Sequence, residues 1–243
     1  MFSLYKKEVQ SYFYSPFAYI VSALFLLVFS LSFFYMVSTM KDSTVRFSFA
    51  TIFYNNFFYF IFMIPLLTMR TFAEERKSHT ETLWLSAPIT VPQVVIAKFL
   101  AVATVYLLMC ALSLVYPLIA WIKGSVIVSG LICGYAGFFF WGLVCIAIGM
   151  LCSAVTDSPI LAAVFGEAAM IALLFVDIIA KTDFAQSLPT LARILMWFSL
   201  QSRFTGFAQG FFSVADLVFF VTISVVVLIW TVIVIEKRRW SRG

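Results

Sequence analysis

Long apolar stretches alternate along the chain with short clusters of charge. Four runs carry no charged residue: the 32 positions between Glu8 and Lys41, the 23 between Arg46 and Arg70, the 24 between Lys98 and Lys123, and the 33 between Lys123 and Asp157. Each exceeds the roughly 20 residues that a helix needs to cross about 30 Å of hydrocarbon. Two further apolar stretches hold isolated acids, Glu167 and Asp177 within Ser158 to Ala180, and Asp216 near the start of Val214 to Ile235. No run shows the period-2 alternation of barrel strands, and backbone groups in lipid must pair within their own segment, so helices are predicted. The pattern therefore predicts an all-α polytopic membrane protein in one transmembrane domain over 1–243, with six spans at about 16–40, 47–69, 92–122, 126–155, 158–180 and 214–235.

Composition agrees: 63% of the residues are hydrophobic and 11% charged, against roughly 45–50% and about 25% in soluble domains. The first apolar run is longer than the 7–15 residue core of a cleaved signal, so the first span is expected to stay. Cys110, Cys133, Cys145 and Cys152 fall inside apolar runs without CxxC spacing or a nearby histidine, which makes them packing residues and predicts no metal site. An even number of spans puts both ends of the chain on one side. Ten of the sixteen basic residues share that side (Lys6, Lys7, Arg70, Arg76, Lys77, Lys98, Lys237, Arg238, Arg239 and Arg242), and six lie opposite. The positive-inside rule then makes the ends cytoplasmic. The same rule and anionic lipid account for the net charge of +5, with no nucleic-acid partner needed.

Two stretches outside the spans carry their own pattern. "LYKKEVQSYFYSPFAY" mixes Lys6, Lys7 and Glu8 with Tyr5, Tyr12, Phe13 and Tyr14, which predicts an interfacial helix over about 2–14 that bends at Pro16 into the membrane. On the far side, "LARILMWFSL" is too short to cross and "TGFAQGFF" follows with two glycines, predicting re-entrant or surface helices over about 186–212.

The wettest segment is "RTFAEERKSHTETLWLSAPIT", Arg70 to Thr90, which holds Glu74, Glu75, Glu81, Arg76, Lys77 and the sole histidine, His79. It predicts a short amphipathic helix over about 71–87 with Lys77 and Glu81 paired four residues apart. Thr90 is the expected N-cap of the next span, with Pro92 in its first turn. Both signs of charge beside Trp84 suit a protein-docking helix better than a solvated loop.

Met69, Arg70, Glu74, Glu75, Thr80, Glu81, Leu83 and Pro88 resemble the coupling region of ABC-2 type transporter permeases. The blocks "KKEVQSYFYSPFAYI" and "SRFTGFAQGFFSVADLVFF" resemble the gliding-motility (GldF-like) branch of that family. His79 departs from the pattern, since many relatives have glycine before the threonine. The resemblance implies the membrane-spanning subunit of an exporter in a bacterial inner membrane, paired with a second permease copy or a related chain. It further implies a separate ABC ATP-binding subunit, which binds the ATP and Mg and docks on Arg70, Glu74, Glu75, Arg76, Lys77 and Glu81. An auxiliary membrane subunit with an external domain is also implied. The chain has no GxxxxGK[ST] phosphate-binding loop, so it is expected to be non-catalytic and to hold no cofactor itself.

Within the spans, Glu167 either faces a pathway or dimer seam or makes a hydrogen-bonded interhelical contact among the small residues of "GEAA". Asp177 is expected to pair with Lys181. The aromatic run "FYNNFFYFIF", Phe53 to Phe62, reads as lipid-facing packing, while Asn55 and Asn56 within it seek partners across helices. Two other function classes are compatible with these residues: an ion-driven transporter or channel using Glu167, and a membrane anchor that binds an ATPase without transport. Lipid-like cargo, a small peptide and a mechanical role on an external protein all suit so dry a bundle.

Overall fold

The computed structural model describes residues 2–39, 48–81, 89–123, 127–180, 182 and 189–241. Among them every regular element is a helix: α1 Phe2–Tyr14, α2 Pro16–Thr39, α3 Ala50–Thr68, α4 Arg70–Lys77, α5 Val91–Ser113, α6 Val115–Lys123, α7 Val128–Val155, α8 Pro159–Ala180, α9 Pro189–Phe198, α10 Leu200–Ala208 and α11 Val214–Ser241. Six helical rods are long and apolar enough to cross a membrane, formed by α2, α3 with α4, α5 with α6, α7, α8 and α11. The chain is a multi-pass membrane protein.

Sequence chemistry sets several of the boundaries. Pro16 opens α2, a position where a missing backbone N–H leaves no bond unmade. Thr90 caps α5 with Pro92 in the first turn, and the Gln93 side chain reaches back to accept from the Thr90 N–H at 3.4 Å. Ser199 caps α10 by accepting from the Ser202 N–H at 3.1 Å.

The spans form an inner and an outer set. In the second, third and fourth spans 61% of the most apolar stretch is buried, against 22%, 17% and 22% in the first, fifth and sixth. The centre is α7, which packs on α3, α4, α5, α8, α10 and α11. It can touch so many neighbours because its glycines receive their side chains: Phe53 lies on Gly134, Phe207 on Gly137, Tyr106 on Gly142 and Thr68 on Gly149, each so close that an added methyl would overlap it.

The aromatic run of the second span departs from its lipid-facing expectation. Phe53, Phe57 and Phe60 are fully buried, whereas Tyr54, Phe58, Tyr59 and Phe62 are exposed. The Phe60 ring stands 4.1 Å from Phe138 and 4.9 Å from Phe25, and the Phe57 ring 4.4 Å from Trp141 and 4.9 Å from Phe204. Helical periodicity turns a continuous aromatic run to both faces, and the inner position of α3 draws one face into the core.

At the end away from the chain termini, α10 wedges into the bundle and buries Leu200, Phe204, Phe207 and Ala208, while α9 packs along α8 with Met196 and Trp197 exposed. Asp177 is held here by the Ser199 hydroxyl and by the Gln201 N–H at 3.3 Å. Its expected partner Lys181 lies outside the described residues. Asp216, at the start of α11, pairs with Arg203, whose guanidinium stands 3.9 Å over the Phe219 ring.

Candidate functional site

The charged segment is not a separate transverse helix at its start. Met69 has helical backbone angles (φ −55°, ψ −30°), so α4 continues α3 as one rod from Ala50 to Lys77. Any displacement of the charged segment is thus a displacement of the second span.

The rod ends in a tight turn made by the backbone. The Thr80 N–H donates to the Glu75 carbonyl at 2.9 Å and the His79 N–H to the Arg76 carbonyl at 3.0 Å, the bond pair of a Schellman motif. His79 occupies its left-handed position with φ 55°, the position where glycine is least strained. Leu83, Trp84, Leu85 and Pro88 lie outside the described residues.

This turn corrects the expected pairing of Lys77 with Glu81. Because the helix stops at Lys77, Glu81 is folded back and meets Arg76 at 3.3 Å. Arg76 is buried; it also donates to the Thr156 carbonyl at 2.9 Å and lies 3.6 Å from Asp157 in the connection between the fourth and fifth spans. Asp157 in turn meets Arg238 of α11 at 3.0 Å. Ser153 of α7 completes the attachment, accepting from the Phe72 and Ala73 N–H groups at 3.1 Å and donating to the Met69 carbonyl at 3.0 Å.

On the other flank, Glu75 accepts from the Lys98 ammonium at 2.8 Å. Lys98 sits eight positions into the third span with a side chain only 1% exposed, and it also donates to Glu8 of α1 at 3.2 Å and to the Thr71 carbonyl at 2.9 Å. The Phe72 ring lies 5.4 Å from its nitrogen. All three donors of the ammonium are therefore used, one on α1 and two on α4, so that Lys98 joins the third span to both. The sequence pattern counted Lys98 only towards membrane orientation and Glu8 only towards the interfacial helix, without pairing them. The available signal was that Lys98 is the single charge in the whole stretch from Thr82 to Ile122.

The remaining predicted docking residues stand further out. Arg70 makes a bidentate pair with Glu74 and donates to the Ser15 hydroxyl at 3.1 Å. Lys77, Ser78, His79 and Thr80 are exposed, and Glu74 is half-exposed. Tyr12 closes the space between α1 and α4, and its hydroxyl points to the Leu67 carbonyl at 3.5 Å. Burial, with Glu8 nearby, pushes its phenol far above the usual range, so it stays a neutral donor.

The intramembrane candidates separate. Asn56 is buried, donating to the Ile52 carbonyl at 2.8 Å and accepting from Ser32 of α2 at 3.4 Å. Asn55 turns outward into a groove of about 660 Å³ with Ser32, Tyr35 and Tyr59. One carboxylate oxygen of Glu167 is buried without a hydrogen-bond partner among the described residues. Neighbouring Gly166 packs on Pro65 of α3. Cys110 and Cys145 are buried and Cys133 and Cys152 half-buried, all as thiols.

Comparison with known proteins agrees with this architecture. Residues 29–235 match the family described as ABC-2 family transporter protein. No curated protein matched the chain. Six apolar spans and a family match running from the first of them to the last place this chain in the ABC-2 transporter family, as one of its multi-pass membrane proteins.

Proposed function

We propose that the chain is the permease subunit of an ATP-driven exporter, and that a separate ATP-binding subunit docks on the exposed turn at the end of the α3–α4 rod. Lys77, Glu74 and the Ser78–Thr80 turn present the docking face. Glu75, Arg76 and Glu81 point inward, and their role is to pass displacement on: Glu75 through Lys98 to the third span and α1, Arg76 through Thr156 and Asp157 to the fourth, fifth and sixth spans. The observation that carries the reading is this attachment of one wet segment to all the helices around it. A rigid element fixed to several spans is what a docking partner needs in order to move them together.

A second copy or a related permease completes the pathway. Support comes from the outer set of spans, which exposes most of its surface, and from Asn55 on an exposed face within a span, where an unpaired amide against lipid is unfavourable. The excess of basic residues at the terminal end supports a cytoplasmic placement of that end, and the family resemblance supports a bacterial inner membrane. Resemblance to the gliding-motility branch supports an auxiliary subunit with an external domain.

The test is co-purification of the tagged full chain from mild detergent, in parallel with the double variant Glu74→Lys, Lys77→Glu. This variant changes the outward face and leaves the Glu75–Lys98 pair intact. A stoichiometric ATP-binding protein with the natural chain, lost or uncoupled in the variant, is expected. Absence of that protein from the natural chain, or unchanged binding and coupled hydrolysis in the variant, would overturn the reading.

A further inference from the structure

Two adjacent amides in the second span have opposite fates. Asn56 turns inward and is satisfied within the chain, by the Ile52 carbonyl and the Ser32 hydroxyl. Asn55 is exposed in the groove of about 660 Å³ between α2 and α3, and its amide has no hydrogen-bond partner among the described residues. The phenols of Tyr35 and Tyr59, on the α2 and α3 walls of the same groove, are exposed and without a partner there as well. The groove is otherwise lined by Val28, Leu31, Ser32 and Phe58, so none of its described lining side chains is charged.

Depth decides what can satisfy Asn55. The 19 residues of α3 rise by about 28 Å, close to the thickness of the hydrocarbon. Asn55 lies five residues below the far end of that helix at Ala50, about 8 Å into the hydrocarbon. Its side chain is too short to reach the headgroups as a lysine or arginine would. Acyl chains offer it no hydrogen bond. Glu167, the lone carboxyl of the fifth span, stands at another level. It is eight residues from the terminal end of α8 at Pro159, about 12 Å, whereas Asn55 is thirteen residues from the terminal end of α3 at Thr68, about 20 Å. A two-fold axis along the membrane normal keeps every residue at its own depth, so Glu167 of another copy cannot come to Asn55. The same residue of another copy can. A primary amide carries both donors and acceptor, which makes it complementary to itself across a two-fold.

We propose that the α2–α3 groove is the seam with a second copy of this chain, where Asn55 exchanges amide hydrogen bonds with the partner subunit's Asn55. The inference rests on the second-copy part of the proposed function and adds to it which face is shared and through which residue. Side chains of the facing helices fill the groove as ridges enter grooves between packed helices, and the two exposed phenols bring further donors and acceptors to the contact. Because α3 and α4 are one rod, such a seam places two rods about one axis, each ending in its own exposed turn at the same depth.

Thiol cross-linking of the full chain in membranes tests the seam. Phe58→Cys lies on the groove wall and leaves the amide in place; oxidation with iodine should give a covalent dimer that the natural chain, with its four cysteines, does not give. Ala172→Cys on α8 and Val221→Cys on α11 are exposed positions at a depth similar to that of Phe58 and should stay monomeric. In single-molecule photobleaching of the tagged chain in bilayers, Asn55→Leu should weaken dimerisation about tenfold, while Asn55→Gln, which keeps the amide, should stay closer to the natural chain. Equal helix content and elution of the two variants separate loss of the seam from loss of the fold. A natural chain that is monomeric in bilayers would overturn the second-copy reading and the seam with it. A dimer that cross-links at Ala172→Cys or Val221→Cys and not at Phe58→Cys, or one that Asn55→Leu leaves unchanged, would overturn the seam and leave that reading standing, as would recovery of a related chain in place of a second copy.

Discussion

The two ends of the bundle are held by different physics. At the terminal end, helices that are distant in sequence are joined by ions: Lys98 to Glu8 and Glu75, Arg76 to Glu81 and Asp157, Arg238 to Asp157. At the far end α10 is held by rings, with Phe204 and Phe207 fully buried among Phe57, Phe138 and Phe220 and one ion pair, Arg203 with Asp216, beside them. Ring packing within hydrocarbon is close-packed and lost as a block when shape is disturbed. Ion pairs can be remade between partners at modest distances, so the terminal end has the chemistry of a joint and the far end that of a plug.

The strongest way to break this contrast is Lys98→Met. It leaves Glu8 and Glu75 without their buried counter-charge, and a loss of about 3–5 kcal/mol in unfolding free energy is expected, read by thermal unfolding in detergent. Adding Glu8→Gln and Glu75→Gln should restore part of it; no recovery would mean that Lys98 acts by packing and not by charge. At the plug, Phe204→Ala should cost about 2 kcal/mol, the cavity part of an aromatic truncation, with no dependence on salt. His79→Gly relieves a left-handed residue and should stabilise the terminal turn by about 1 kcal/mol or less, seen as slower proteolysis after Lys77. The smallest effect is expected for Asp157→Asn, below about 1 kcal/mol, because Asp157 is largely exposed. That effect should fade as salt is raised, which the Phe204 effect should not.

Four charge-free runs and two stretches with isolated acids made the six spans legible, since length and hydropathy alone decide whether a helix can cross. Thr90 with Pro92 announced the start of α5 for an equally local reason. The pairing of charges was less legible. Helical spacing gave Lys77 to Glu81, but one residue, His79, in the left-handed region ends the helix and hands Glu81 to Arg76. Glu8 and Lys98 are 90 positions apart and meet through tertiary packing that no local pattern encodes. The split of Phe53–Phe62 into buried and exposed rings was also hidden, because core and lipid are equally apolar and hydropathy does not tell them apart.

The glycines of α7 carry a mechanical consequence. Phe53, Phe207, Tyr106 and Thr68 enter the fourth span at four heights and from three other helices, like wards in a lock. A slide of α7 by one residue, about 1.5 Å with a turn of about 100°, would bring a side-chain-bearing position under every one of them. The inner helices are therefore keyed to a single register, and whatever motion the working protein makes must carry them as one body, with the slack taken up by the outer spans.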